Sequence, residues 1–402
     1  MNLLTEPGPV PPSTTSLRVE SQPSIAIIGG SITGPTLALL LHQAGFTRVS
    51  VLEASPSPFA QAGGVIGLDH ASLATLETLG IPQAELAPFP SERVTTIRIV
   101  DRKETGRVHS VYPGRNTAWH VLNSALLNRL PDTWLRTGNR VRSISIAGNG
   151  QALLNLADRT NITADLVVFA DGRRSIGRRL LDPSRPLHYA GYVAWRGQLT
   201  GNRAGIQDYT RLESRGGVFH MFPIPRKNGD TGLDWTFYLN MSSEEFSRLL
   251  GGDPTQRTFI QPHRVPPMAS EEVISWAYRL FPEAVAETIS ATTDWYATPI
   301  LDIDPPQRMV RSLGAAHALL LADALAPVRP NTAQGANNGI EQDRTLAIAL
   351  GQHHHHHGAN LNAALDHWQQ RLLPSVHRAL QEGPQLSAAL GLGRPFADLV
   401  PA

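Results

Sequence analysis

The chain of 402 residues contains no cysteine. That absence excludes disulfides, thiolate metal sites, iron–sulfur clusters and cysteine nucleophiles together, and it fits a cytoplasmic protein. An excess of one charge is also missing. Thirty-five basic residues face 34 acidic ones, for a formal net charge of +1, so composition implies no surface for nucleic acid. Charged residues make up only 17% of the chain against 41% hydrophobic, which rules out a disordered, solvating polymer. No run is apolar enough to span a membrane: the best candidate, Ala315 to Ala326, is short and carries His317 and Asp323. The first 23 residues lack the basic and apolar regions of a secretion signal; rich in Pro and Ser, they read as a disordered tail. There is no G-x-S-x-G elbow, no H-E-x-x-H and no G-x-x-x-x-G-K-[ST].

What remains is patterned. Ser24 to Gly29 reads as a buried strand, Ile32 to Gly45 as a helix and Val49 to Glu53 as a second strand, which is the βαβ signature of a parallel sheet. Arg93 to Val111 alternates and suggests a hairpin turning near Lys103 to Gly106. Tyr189 to Asn240 changes texture to aromatic-rich strands, expected to form an antiparallel sheet. Helices follow at Ser242–Gly251 and Ser270–Phe281, then a buried strand at Ala315–Ala322, a helix from Gln334 and a last long helix interrupted at Pro374. The expected organisation is a first domain over 24–186, an inserted sheet domain over 187–300, a return to the first domain over 301–352, and a His-rich loop with a C-terminal helix over 353–402. The run His353–His357 could bind metal loosely, but nothing around it fixes ligand geometry; it reads as a solvated loop, and no metal site is assigned.

The chemistry starts at Gly29-Gly30-Ser31-Ile32-Thr33-Gly34, between the first strand and helix. This is the dinucleotide fingerprint with Ser31 in the place of its second glycine. Gly29 permits the tight turn, a small residue at 31 admits a pyrophosphate, and Gly34 lets the helix pack closely. The backbone N–H groups around Ile32 and the positive end of the helix dipole favour an anion. Glu53, ending the second strand, can accept hydrogen bonds from ribose hydroxyls and disfavours a 2′-phosphate.

Two later motifs say which dinucleotide. Ala170, Asp171, Gly172, Ser175 and Arg178 match A-D-G-x-x-S-x-x-R. Asp323, Ala324, Pro327, Pro330, Gln334, Gly335 and Asn337 match G-D-A-x-x-P-x-x-P-x-x-G-Q-G-x-N, with Ala322 and Ala333 replacing glycines. With these motifs the chain resembles the single-component FAD-dependent aromatic hydroxylases. Tyr189–Gly197, Phe222–Pro225 and Leu233–Asn240 look most like the dihydroxypyridine hydroxylase branch.

The resemblance implies an α/β fold: a Rossmann-like FAD-binding domain with an inserted antiparallel-sheet substrate domain and C-terminal helices. It implies FAD as cofactor and NADH or NADPH as a transient co-substrate, consistent with the lack of a second fingerprint. It also implies O2, a small aromatic or heteroaromatic substrate, oxygen transfer through a flavin C4a-hydroperoxide, and possible homodimers. By the same resemblance Asp323 would bind a ribityl hydroxyl, Gly335 and Ala336 would face the flavin's pyrimidine edge, and Pro330 would line its oxygen side. Asp171 would lie near the pyrophosphate, and Gly63 and Gly64 near the cofactor; Trp119 stands where many relatives have arginine. The plainer reading of Asp171 is a cap.

Trp195, Phe222, Trp235 and Tyr238 are candidates to line a dry substrate pocket, with core packing as the alternative. His220 and His120 are candidate bases for a phenolic substrate. Rival readings are an FAD oxidoreductase that does not use O2 and a flavin-binding protein without turnover.

Overall fold

The computed structural model describes residues 22–57, 64–86, 91–201, 206–225, 231–257, 259–355 and 361–393. Most of the expected tail, Gly63, the end of the histidine run and residues 394–402 lie outside these.

Four strands of six residues or fewer, Val49–Leu52, Ile25–Ile28, Leu166–Phe169 and Ala316–Leu320, lie side by side and parallel. Leu135–Arg136 extends the sheet in parallel at one edge and Val310–Leu313 closes the other edge antiparallel. Ile25–Ile28, Leu166–Phe169 and Ala316–Leu320 are buried at every position, so these strands show continuous apolar runs rather than alternation. Helix Thr33–Gln43 covers this sheet and packs on helix Gly335–His355. Thus segments some three hundred residues apart build one layer.

The second sheet has seven strands in the order Tyr296–Ile303, Leu187–Thr200, Thr231–Asn240, Gly217–Pro225, Tyr209–Ser214, Arg93–Val100, Lys103–Val111. Every pairing is antiparallel except Tyr209–Ser214 with Arg93–Val100. The early hairpin therefore belongs to this sheet, not to the layer its place in the chain suggested. Its turn is at Asp101–Arg102, both with positive φ (48° and 63°), two residues before the expected position.

Period-two alternation sorts the second sheet's side chains. Val193, Trp195, Leu233, Trp235, Phe237 and Phe219 point to one face and pack beneath helices Ser243–Leu250, Pro267–Leu280 and Glu283–Ser290. Arg196, Asp234, Thr236, Tyr238 and His220, one residue out of phase, belong to the other face. Trp195 and Trp235 are consequently core residues rather than pocket residues, and Trp235 Nε1 donates to Thr292 Oγ1 at 2.9 Å.

The last helix runs unbroken from Leu361 to Ala389 through Pro374 and Pro384. The preceding helix carries His353–His355, where a loop was expected. No group of three or more potential metal ligands occurs among the described residues, and none of their helices is long and apolar enough to cross a membrane.

Trp235→Ala should lower unfolding free energy by about 3–5 kcal/mol, the cost of truncating a buried aromatic. Tyr238→Phe, on the other face, should cost much less. Denaturant midpoints of the two variants check the assignment of faces.

Candidate functional site

The fingerprint turn is built by close approach. Gly29 has φ +113°, and a Cβ there would lie 2.4 Å from the Ala170 carbonyl oxygen. A Cβ on Gly34 would lie 1.9 Å from the Gly29 carbonyl oxygen. Only glycine fits at either place. Helix Thr33–Gln43 opens at Ile32 with no side-chain cap, leaving its first N–H groups for a ligand. Asn123 Nδ2 donates to the carbonyls of Gly30 (3.2 Å) and Ser31 (2.9 Å), which holds the turn in shape. The Trp119 indole donates to Ser31 Oγ at 3.2 Å and lies across the same turn. Glu53 accepts from Gly30 N at 2.7 Å and Ser55 N at 2.6 Å, so its carboxylate shapes the turn as well as standing at the strand end.

The second motif is a lock. Asp171 accepts from the Ser175 hydroxyl and from Ile176 N (2.7 Å), and Ser175 accepts from Arg178 N at 3.0 Å, capping helix Ile176–Leu181. Asp171 is therefore occupied as a cap, while its neighbours Ala170 and Gly172 line the cleft described below. Arg178 is 4% exposed and donates to the carbonyls of Asp323 (3.1 Å), Ala324 (2.9 Å) and Arg173. Burial, followed by the charge of Arg185, lowers its pKa to about 10.

The third motif carries strain. Ala322 and Ala333, the two residues standing in for glycine, have φ +48° and +55°. Left-handed backbone costs an L-residue about 1–2 kcal/mol. Gln342 Oε1 accepts from Ala322 N at 2.8 Å and supports it. Asn337 Nδ2 donates to the carbonyls of Gly67 (3.1 Å) and Ala333 (2.9 Å), and Asn337 Oδ1 accepts from Asp69 N at 3.0 Å. The start of helix Gly335–His355 is thereby pinned to strand Val65–Asp69. A Cβ on Gly339 would lie 2.8 Å from Thr33 Oγ1, so the helices of the first and third motifs meet at that glycine.

These motifs line one cleft of about 320 Å³. Ser31, Ile32 and Thr33 stand at one end with Trp119. Asp323, Pro330, Gly335 and Ala336 form one wall, and Arg196, Tyr209, His220, Thr236 and Tyr238 come from the second sheet. Asp323 is half-buried, and removal from water raises its pKa despite the nearby Arg173 and Arg178. A Cβ on Gly64 would lie 2.7 Å from Arg196 Nη1, so that glycine leaves room for the guanidinium. Asp234, 3% exposed, accepts from Gln198 at 3.1 Å; burial pushes its pKa up to about 6 against the pull of Arg196.

Of the expected pocket residues, Tyr238 lines the cleft. Phe222 is on the cleft side of its strand but packs behind it with Ala118 and Ile224. Of the two histidines, His220 lines the cleft; His120, on the first turn of helix Trp119–Leu127, is not among the lining residues. Sequence reasoning missed Arg196, Tyr209 and Asn123. Arg196 could have been found by shifting the strand phase by one residue from Trp195; Tyr209 stands on a strand without tryptophan and reaches the cleft through strand pairing.

The fit to a flavin dinucleotide rests on the cradle itself. Glycines that let the turn's backbone close on itself, an uncapped helix start and a carboxylate at residue 323 come together at a single groove. Gly34→Val should lose both stability and FAD loading, read as a lowered melting temperature and a colourless protein after FAD titration. Asp323→Ala should weaken FAD retention by about 1–3 kcal/mol, the scale of a lost hydrogen bond, read by equilibrium dialysis.

A family model described as "FAD binding domain" matches residues 22–382. Among curated proteins, 2,6-dihydroxypyridine 3-monooxygenase of Paenarthrobacter nicotinovorans is 26% identical over 395 residues, covering 94% of each chain. The 6-hydroxynicotinate 3-monooxygenase of Pseudomonas fluorescens is 27% identical over 356 residues, 84% of this chain and 86% of that one. Among solved structures, 2,6-dihydroxypyridine-3-hydroxylase from Arthrobacter nicotinovorans superposes with a TM-score of 0.81 at 24% identity, covering 94% of both chains. By the match over most of its length, the chain belongs to the FAD binding domain family.

Proposed function

We propose that this protein is an FAD-dependent monooxygenase that uses a reduced nicotinamide dinucleotide and O2 to hydroxylate a small, electron-rich aromatic or heteroaromatic ring. The observation that carries the reading is the single cleft joining the fingerprint turn, the Asp323 loop and the polar face of the seven-stranded sheet. The curated relatives support it, since their names describe monooxygenases acting on hydroxylated pyridines.

Bound FAD supplies the electron acceptance and oxygen activation that no side chain here provides. The protein's part is to hold, orient and keep dry. The open N–H groups at Ile32–Gly34 would hold the diphosphate and Glu53 would support the adenosine side. Asp323 would bind the ribityl chain, and the start of helix Gly335–His355 would favour negative charge on the ring system. Pro330 would form an apolar stop beside the reacting ring. The substrate would lie between that wall and Tyr209, His220, Thr236 and Tyr238. The carbon-rich sheet behind them, with Phe222 and Ile224 buried, would keep water from the reacting atoms.

The test is oxygen accounting on the FAD-loaded protein with 2,6-dihydroxypyridine and 6-hydroxynicotinate as probes. At least one ring should accelerate NAD(P)H oxidation tenfold or more, with one O2 consumed per hydroxylated product and little peroxide. Oxidation that no ring accelerates, with all oxygen recovered as peroxide, would sink the monooxygenase reading.

A further inference from the structure

One hydrogen-bonded pair at the sheet end of the cleft is not explained by cofactor binding. His220 is 6% exposed; its Nδ1 is hydrogen-bonded to the Tyr209 hydroxyl, and its Nε2 is buried with no partner. The two residues stand on neighbouring strands, with Arg211 opposite His220 in the register. Their ring centres are 5.2 Å apart at 68°, and both line the cleft.

The direction of that hydrogen bond decides which nitrogen carries the imidazole proton. If Nδ1–H donated, the Tyr209 proton would have no acceptor among the described residues, and the Nε2 lone pair would be unmet as well. If Tyr209 donates, Nδ1 is the acceptor and one unmet group remains, an Nε2–H. Each unmet buried polar group costs about 1–3 kcal/mol, so the second arrangement wins. Burial keeps the Tyr209 hydroxyl protonated by raising its pKa. Burial, then the charges of Arg211 and Arg196, lowers the pKa of His220 to about 3, so the ring is neutral.

The cation lining this cleft is a donor too. The Arg196 guanidinium lines the cleft, opposes the upward shift that burial gives the Tyr238 hydroxyl, and keeps a buried Nε without a partner. A guanidinium only donates, and a tyrosine hydroxyl can donate as well. Asp234, on the same sheet face, is held by Gln198 and is not among the lining residues; the carboxylate that lines the cleft is Asp323 on the cofactor wall.

We propose that Tyr209 is a positioning residue that fixes His220 as the Nε2–H tautomer, so that this end of the cleft reads an oxygen acceptor, a ring carbonyl or an ionised hydroxyl, on the aromatic substrate. The proposal rests on the aromatic-substrate reading above and changes the role expected for His220. A nitrogen that already bears a proton cannot take one from a phenol. The substrate enters as its carbonyl tautomer or with its proton already lost to solvent.

The test has a ligand-free arm and a binding arm, both on the full-length FAD-loaded protein. In the first, 15N-histidine NMR is assigned by the signals lost in His220→Gln. Wild type should show a protonated Nε2 and a bare Nδ1 between pH 6 and 8, and Tyr209→Phe should convert this to a mixture of tautomers. A protonated Nδ1 in wild type overturns the proposal. In the second arm, 6-hydroxynicotinate is compared with nicotinate, which lacks the ring oxygen, by perturbation of the flavin absorbance. Wild type should prefer the oxygenated probe by about tenfold. His220→Leu should abolish that preference, and His220→Gln, which keeps an N–H, should retain most of it. A preference untouched by His220→Leu overturns the donor role. If neither probe binds wild type while NMR shows the Nε2–H tautomer, the aromatic-substrate reading fails and the tautomer assignment stands.

Discussion

A buried guanidinium holds this site together. Arg178 sits on a short helix capped by Asp171 and Ser175, and it reaches carbonyls on both sides of the cofactor wall, at Arg173 and at Asp323–Ala324. Removing a charge from water is costly, and here the cost is offset by three carbonyl acceptors arranged for one planar donor. Through that contact the end of strand Leu166–Phe169 fixes the loop bearing Asp323, about 150 residues later in the chain. The distance between the fingerprint turn and residue 323 then follows from the parallel sheet, because both loops leave strands of the same sheet at the same end.

The backbone on the far side of the cleft is held less comfortably. Ala322 and Ala333 keep left-handed conformations without glycine's freedom, and side chains of the following helix brace both positions. Gln342 receives the Ala322 N–H, and Asn337 donates to the Ala333 carbonyl. Alanine in place of glycine gives the unfolded chain less freedom to lose, which offsets part of the local strain. Two side-chain hydrogen bonds thus brace this wall of the cleft, which suits the proposed role of holding a cofactor and a substrate in register.

The seven-stranded sheet separates two tasks by a single step of phase. One set of side chains, including Trp195, Trp235 and Phe237, makes the apolar seam with three helices. The alternate set, Arg196, Asp234, Thr236, Tyr238 and His220, makes a polar floor. The carboxylate in that floor is set back from the cleft, so the charged group lining it from this sheet is the Arg196 donor.

By itself the sequence determined the dinucleotide turn and its parallel sheet, because these depend on local necessities, and its resemblance to the FAD-dependent aromatic hydroxylases supplied the rest of the cofactor domain. A turn with no room for a Cβ demands Gly29 and Gly34, an uncapped helix start follows directly, and buried parallel strands require continuous apolar runs. The motif at Asp323 was legible through its resemblance to the family's pattern, which one loop and one helix start carry. The tertiary structure decided the substrate end. Whether Trp195 or Arg196 faces the cleft depends on which side of the sheet the helices cover, and alternation alone fits both choices. The pairing of Tyr209–Ser214 with Arg93–Val100, and the meeting of Tyr209 with His220, are long-range strand registers. No local propensity encodes them, since they are set by how the whole sheet closes over its core.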